Sequence, residues 1–278
     1  VGRLGPANTY TSVDLSPDGR RVLAHVGGGR ADVSGLWILD AETGESSRSV
    51  VRTGDGPVWS PDGERFAVVS ETEIVIADVL RGTTRTVLTM ETPTGIADWT
   101  ADGRGLIVMQ QHPETGTPNV MLLEIENGGE FRPIVETSDW DFPGRLSPDG
   151  RYLTFASDRR NPGSRSCELF VAELGGSGGV WQISTGGAPT GIGRSLCDWS
   201  RDGKRLYYLN RSGVLMRADI DTTNGFRAGT PVPVSPDLGK VTQVNVAPDG
   251  RLLVLRPSED QAVPPVRLLT DWTALLDD

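Results

Sequence analysis

Trp59-Ser60-Pro61-Asp62-Gly63 is one of six copies of a five-residue signature: an apolar residue, a small polar residue or Ala, two variable positions ending in Asp, then Gly. The others are Leu15-Ser16-Pro17-Asp18-Gly19, Trp99-Thr100-Ala101-Asp102-Gly103, Leu146-Ser147-Pro148-Asp149-Gly150, Trp199-Ser200-Arg201-Asp202-Gly203 and Val246-Ala247-Pro248-Asp249-Gly250. Successive aspartates stand 44, 40, 47, 53 and 47 residues apart, and a period of about 46 is that of a four-stranded propeller blade. Pro presets φ for the first turn position, Asp bonds the backbone ahead of it, and Gly takes the positive φ that ends a hairpin turn. Each copy is therefore expected to join the first strand of a blade to the second.

Alternating or fully apolar runs follow each turn, at Arg21 to Val26, Phe66 to Ser70, Leu106 to Gln110, Tyr152 to Ala156, Leu206 to Leu209 and Leu252 to Leu255, as second strands require. Third strands are expected at Leu36 to Asp40, Glu73 to Asp78, Val120 to Ile125, Glu168 to Glu173, Val214 to Asp219 and Val266 to Leu269. Fourth strands are expected at Arg48 to Arg52, Thr84 to Leu88, Arg132 to Val135, Val180 to Ile183 and Val232 to Val234. The sixth repeat lacks a fourth strand, and Val1 to Gly5 is expected to supply it. The expectation is an all-β, six-bladed propeller in a single domain of 278 residues, with blades near 9–53, 54–90, 91–137, 138–186, 187–236 and 237–272 plus 1–5. Joining the two ends in one sheet closes the ring without a free edge.

This repeat resembles that of TolB and its WD-repeat-like relatives along essentially the whole chain. More narrowly, Phe142 to Arg151, Val180 to Gly187 and Leu268 to Leu276 resemble propellers that follow bacterial serine/threonine kinase domains. The resemblance implies a sensor-like module and leans towards an extracytoplasmic location, periplasmic or tethered to a membrane. No kinase signature (Gly-rich loop before a strand Lys, HRD, DFG) and no Gly-x-Ser-x-Gly elbow occurs in the sequence.

Composition narrows the partners. The chain has 37 Asp and Glu against 27 Lys and Arg, a formal charge of -10. That balance disfavours nucleic acid, whose binding needs clustered cations. Setting the six turn aspartates aside leaves 31 acids against 27 bases, so the acidity itself points to no partner. No apolar run approaches the ~20 residues of a membrane span, and a monomer without membrane insertion is expected. Cys167 and Cys197 have neither disulfide-framework nor metal spacing and read as small buried residues. His25 and His112, at strand ends, read as solvated or capping residues, and Asn210-Arg211-Ser212 fits a glycosylation sequon only weakly.

Two groups of residues are candidates for function. Two positions before each small polar residue stand Asp14, Val58, Asp98, Arg145, Asp198 and Asn245. Strand alternation puts their neighbours Leu15, Trp59, Trp99, Leu146, Trp199 and Val246 between blades, so the polar set faces the central channel. Asp14, Asp98, Asp198 and Asn245 could hold Ca²⁺ or another divalent cation. The six-bladed architecture is similar to that of gluconolactonase, paraoxonase and diisopropylfluorophosphatase, which implies a metal-dependent hydrolase of esters, lactones or phosphotriesters, although the ligands of those enzymes sit mostly near the start of the inner strand and not beside the hairpin turn. The competing reading is that Arg145 pairs with the aspartates. The second group is expected on the face of the second-to-third and fourth-to-first loops: Asp55, Asp139, Trp140, Asp141, Phe142, Arg159, Arg160, Arg194 and Arg211. With the long fourth-blade insert Asp158 to Ser166, it suits a protein, peptide or small ligand. Non-catalytic recognition on that face is the first expectation, the hydrolase the second, and a structural spacer in a larger chain the third.

Overall fold

The computed structural model describes residues 2–4, 10–27, 34–90, 94–126, 129–135, 137–164, 166–175, 178–188, 197–234, 241–256 and 266–269. Among them there is no helix, and the strands form an all-β propeller of antiparallel sheets.

Five sheets are built from consecutive strands. After β1 (Gly2–Leu4), the first contains β2 (Tyr10–Leu15), β3 (Arg21–Val26), β4 (Gly35–Asp40) and β5 (Ser46–Arg48). The second contains β6 (Asp55–Trp59), β7 (Arg65–Ser70), β8 (Glu73–Asp78) and β9 (Thr83–Thr89). The third contains β10 (Thr94–Trp99), β11 (Gly105–Gln111), β12 (Pro118–Glu124) and β13 (Glu130–Val135). The fourth contains β14 (Asp141–Leu146), β15 (Tyr152–Ser157), β16 (Glu168–Glu173) and β17 (Val180–Gln182). The fifth contains β18 (Cys197–Trp199), β19 (Arg205–Leu209) and β20 (Leu215–Asp221), whose outer edge is shared by β21 (Arg227–Ala228) and β22 (Val232–Pro233). Where one fourth strand was expected here, the chain pairs twice in short pieces. A further sheet runs β1, β25 (Val266–Leu269), β24 (Leu252–Leu255), β23 (Gln243–Val246), with Gly2 opposite Leu268 and Leu4 opposite Val266.

Each signature forms the turn that its residue types favour. In the first, Gly19 N donates to Ser16 O at 2.8 Å with Gly19 at φ 72°. The Ser16 hydroxyl donates to Asp18 Oδ1 at 2.5 Å and accepts from Arg21 N at 2.9 Å, while Asp18 Oδ1 also accepts from Arg20 N at 3.0 Å. Ser60 and Asp62 repeat the pattern, with Glu64 N on Asp62 at 2.9 Å and Arg65 N on Ser60 Oγ at 3.0 Å. Ala247 has no hydroxyl, and its N–H bonds Arg251 O, closing a turn one residue shorter.

Apolar cores fill the spaces between sheets. Leu23, Leu36, Trp59 and Phe66 pack together between the first two, and Leu253 and Leu255 pack on Val13 and Val22 between the last and the first. Trp59, Trp99 and Trp199, each nearly inaccessible, stand between blades as expected. Every indole N–H also reaches back across the gap: Trp59 Nε1 to Asp14 O at 3.2 Å, Trp99 to Val58 O at 3.1 Å, Trp199 to Arg145 O at 3.2 Å.

Four of the innermost strands, β2, β6, β10 and β14, are not regular. In β14 the register slips between Pro143 and Leu146, so Gly144 and Arg145 together oppose Thr154. Thr154 Oγ1 completes this bulge, accepting from Arg145 N at 2.7 Å and donating to Arg145 O at 3.0 Å. A Cβ on Gly144 would stand 2.3 Å from that hydroxyl and 2.9 Å from Cys197 Sγ, so only Gly fits.

Candidate functional site

The inner strands bring Asp14, Asp98, Arg145, Asp198 and Asn245 together near the hairpin turns. Arg145, aimed inwards by its bulge, touches all three carboxylates. Its Nη2 lies 3.4 Å from Asp14 Oδ1, its Nη1 3.5 Å from Asp98 Oδ1 and its Nε 3.5 Å from Asp198 Oδ1. Asn245 Nδ2 donates to Asp14 Oδ1 at 3.4 Å.

The second oxygen of each aspartate has a different task. Asp14 Oδ2 accepts from Trp59 N at 2.8 Å, Asp98 Oδ2 from Leu146 N at 2.8 Å, and Asp198 Oδ2 from Val246 N at 2.7 Å. Each carboxylate thus grips the next blade with one oxygen and Arg145 with the other. Sequence alternation gathered the right residues but carried no sign of these backbone bonds, which depend on the spacing between blades.

The charges are strongly perturbed. Burial pushes Asp98 up against the pull of Arg145, and does the same to Asp198, which reaches about 6 with Asp14 and Asp98 adding repulsion. Burial opposes the charge on Arg145, but Asp98, Asp14 and Asp198 outweigh it and hold the guanidinium protonated well above its ordinary range.

Of the residues expected as a cation cage, Asp14, Asp98 and Asp198 turn one oxygen each to the Arg145 guanidinium, and Asn245 bonds Asp14. A cation at the 2.3–2.6 Å of calcium–oxygen bonds to these carboxylates would have to displace Arg145. Among the described residues no group of three His, Cys, Asp or Glu is disposed to hold a metal.

Above the cluster opens a funnel of about 550 Å³, walled by the three tryptophans and rimmed by Pro17, Pro61, Ala101, Pro148, Arg201 and Pro248. These rim residues belong to the hairpin turns, so this funnel opens on the hairpin face.

The second expected group is only partly assembled. Asp141 is fully buried, accepting from Thr137 Oγ1 at 2.5 Å, with Arg159 Nη2 at 3.5 Å. Arg159 turns inwards, its guanidinium carbon 4.7 Å from the Phe155 ring centre and 4.9 Å from that of Phe170. Trp140, half-buried, leans on Phe142 at 6.1 Å. Asp158, which sequence reading passed over, closes the fourth-blade insert by accepting from Trp140 N at 2.9 Å and Gly163 N at 3.0 Å. Arg160 donates to Gln182 at 2.9 Å and Arg211 to Ser166 at 2.6 Å, and both are exposed. Asp139 is half-buried. Asp55 stands apart on the second blade, 90% exposed, with His25 at 3.5 Å. Arg194 lies outside the described residues. His112 caps its turn, accepting from Glu114 N at 3.2 Å.

No family model and no curated protein matches the sequence. Solved structures match by shape. TolB from Acinetobacter baumannii aligns at a TM-score of 0.61 and 18% identity over 93% of this chain, which spans 59% of that one. The propeller domain of Cps50 (Swd1) from Myceliophteria thermophila aligns at 0.62 and 12%, covering 95% of this chain and 86% of the other. XC5397 of Xanthomonas campestris, described as a gluconolactonase, aligns at 0.62 and 13% over 95% of this chain and 86% of its own. The fold is that of a TolB-like and WD40-like β-propeller. At these identities the likeness extends to the fold alone.

Proposed function

We propose that the chain is a ring of six blades forming one domain over residues 1–278, closed by its N-terminal strand, and that it works as a non-catalytic recognition module. The closed ring is supported by the β1–β25 pairing and by Val13 N donating to Gln243 Oε1 at 2.7 Å between the last and first sheets. The partner is a protein, peptide or small ligand entering the axial funnel from the hairpin face. The observation that carries this reading is the triple engagement of Arg145, which leaves the axial charges satisfied by one another. Catalysis needs a group poised to ligate, attack or move a proton at a substrate; here the carboxylates hold backbone N–H groups and Arg145 instead. The resemblance of residues 142–151, 180–187 and 268–276 supports a module of the kind that accompanies bacterial kinases, in an extracytoplasmic setting.

Elemental analysis before and after chelation, with assays on esters, lactones and phosphotriesters, tests the non-catalytic half of the proposal. The expected result is no stoichiometric metal and no turnover. Turnover that chelation abolishes and metal restores overturns it. Pull-down with wild-type chain and with Ala101→Trp, which blocks the funnel mouth, tests the other half. Capture lost in the variant supports the funnel, and capture retained removes it as the site.

A further inference from the structure

Arg160 and Arg211 flank the fourth-blade insert, one near its start and one against its end. Arg160 lies in the insert itself, between β15 and β16, and Arg211 in the turn from β19 to β20 of the next blade. Both are exposed, and each is held by a neutral acceptor: Arg160 Nε donates to Gln182 Oε1 at 2.9 Å, and Arg211 Nη1 to Ser166 Oγ at 2.6 Å. These bonds use one nitrogen of each guanidinium and leave two. Among the described residues neither arginine pairs with a carboxylate.

The carboxylates nearby are bound from within. Asp141 and Asp158 are fully buried, the first facing Arg159 at 3.5 Å and the second accepting from Trp140 N and Gly163 N. Glu168, half-buried, accepts from the Ser184 hydroxyl and from Gly187 N at 3.0 Å. Asp139, also half-buried, lies outside the insert. Between the two guanidinia runs an exposed stretch without charge, Asn161-Pro162-Gly163-Ser164. Its backbone is fixed, with Asn161 N on Asp158 O at 2.7 Å, Ser164 N on Asn161 O at 3.1 Å and Gly163 N on Asp158 Oδ2 at 3.0 Å. In a chain of formal charge -10, this strip turns its cations outwards and its acids inwards.

We infer that the fourth-blade insert docks an acidic, extended segment of a partner protein, with one carboxylate on Arg160 and another on Arg211. A guanidinium takes a carboxylate in a planar fork, which an arginine already held by a neutral group can offer without giving up an ion pair. Two anchors separated by a run of neutral residues suit acids spaced along a strand better than they suit a single anion. The set backbone keeps the ordering cost on this side small. The strip lies at the end of its strands away from the hairpin turns that rim the funnel, so this inference goes beyond the axial reading and stands or falls without it.

The test is fluorescence anisotropy of a labelled octapeptide of alternating Glu and Gly, and of the same peptide with Gln for Glu, at about 50 mM salt, where exposed charges are weakly screened. The acidic peptide is expected to bind at least about tenfold more tightly than the neutral one. The double variant Arg160→Gln, Arg211→Gln is expected to lose that advantage while its circular dichroism stays that of the wild type. Arg81→Gln, which removes an 80% exposed guanidinium from the second blade, and Ala101→Trp in the funnel mouth are both expected to bind as the wild type does. Equal affinity for the two peptides, no binding at millimolar acidic peptide, or affinity unchanged in the double variant overturns the inference. So does an equal loss in Arg81→Gln, which would mean attraction to charge at large, or a loss in Ala101→Trp, which would put the acidic peptide in the funnel. If the double variant does not fold, unchanged affinity in Arg160→Gln alone overturns it.

Discussion

Asp14 and Trp59 hold each other twice across the first blade junction: the carboxylate accepts from the Trp59 backbone N–H at 2.8 Å, and the indole N–H returns to the Asp14 carbonyl at 3.2 Å. Asp14 also meets Arg145 and Asn245 through its other oxygen. Asp14→Ala therefore orphans a buried N–H and removes one of three counter-charges from Arg145. It is expected to cost about 3 kcal/mol. Asp14→Asn, whose amide oxygen can still accept from Trp59, is expected to cost less than half of that. Urea unfolding of the two variants checks this, and equal midpoints would show that the bond to Trp59 contributes little.

Stability should fall as the solution is taken from acid towards neutral. The carboxyl of Asp198, raised to about 6 chiefly by burial, keeps in the folded chain a proton that the unfolded chain releases near its ordinary value of 3.8. A shift of about two units corresponds to roughly 3 kcal/mol, lost as pH rises between about 4 and 6. The turn aspartates have the opposite sign. Hydrogen bonds from Thr100 and Ser200 hold Asp102 and Asp202 low, and bonds from Ser16 and Ser60 hold Asp18 and Asp62 low in spite of partial burial. Their contribution is present above the ordinary aspartate value and is lost as pH falls through the lowered ones. The maximum is thus expected at about pH 4–5. Asp198→Asn should flatten the decline towards neutrality, and a variant whose midpoint still drops as steeply as the wild type would assign that decline elsewhere.

Both cysteines should be silent in the folded protein. Burial pushes Cys197 up to about 11 and Cys167 up to about 12, the latter with help from Asp158 and Asp141. Each is 1% exposed, and the thiolate is the reactive form. A chromogenic disulfide reagent at mildly alkaline pH is expected to find no thiol in the native chain and two after denaturation. Rapid native labelling would mean that the fourth and fifth blades open locally.

How far the sequence could be read follows from the range of each interaction. The turn chemistry from Ser16 to Arg21 lies within six residues, so the repeat gave the hairpins and second strands almost to the residue, whereas the outer strands shifted: the one expected at Arg48 to Arg52 runs Ser46–Arg48, and that of the fifth blade is split. Alternation along the inner strands likewise placed Asp14, Asp98, Arg145 and Asp198 on one side. It could not say that Arg145 reaches three carboxylates at once, because that depends on a bulge in β14 and on the radius of the channel. Arg159 looked like an exposed anchor, yet the stacked Phe155 and Phe170 lie beneath it, and that pair is brought together only by the pairing of β15 with β16.

The bulge itself gives the last prediction. Thr154 Oγ1 bonds both the N–H and the carbonyl of Arg145, standing in for the ladder bonds that the slipped register leaves unmade. Thr154→Val keeps the shape and removes the hydroxyl, so Arg145 N loses its acceptor in a buried place and the guanidinium loses the support that aims it. A loss of about 2 kcal/mol is expected. Arg145→Met leaves three carboxylates without their cation and is expected to cost about 4 kcal/mol at neutral pH, less in acid, where protonation relieves their repulsion. If Thr154 acts through Arg145, the double variant costs less than the sum, by about 1 kcal/mol or more. Strict additivity in that cycle would mean that Thr154 supports the strand alone and that the aim of Arg145 is set by the aspartates.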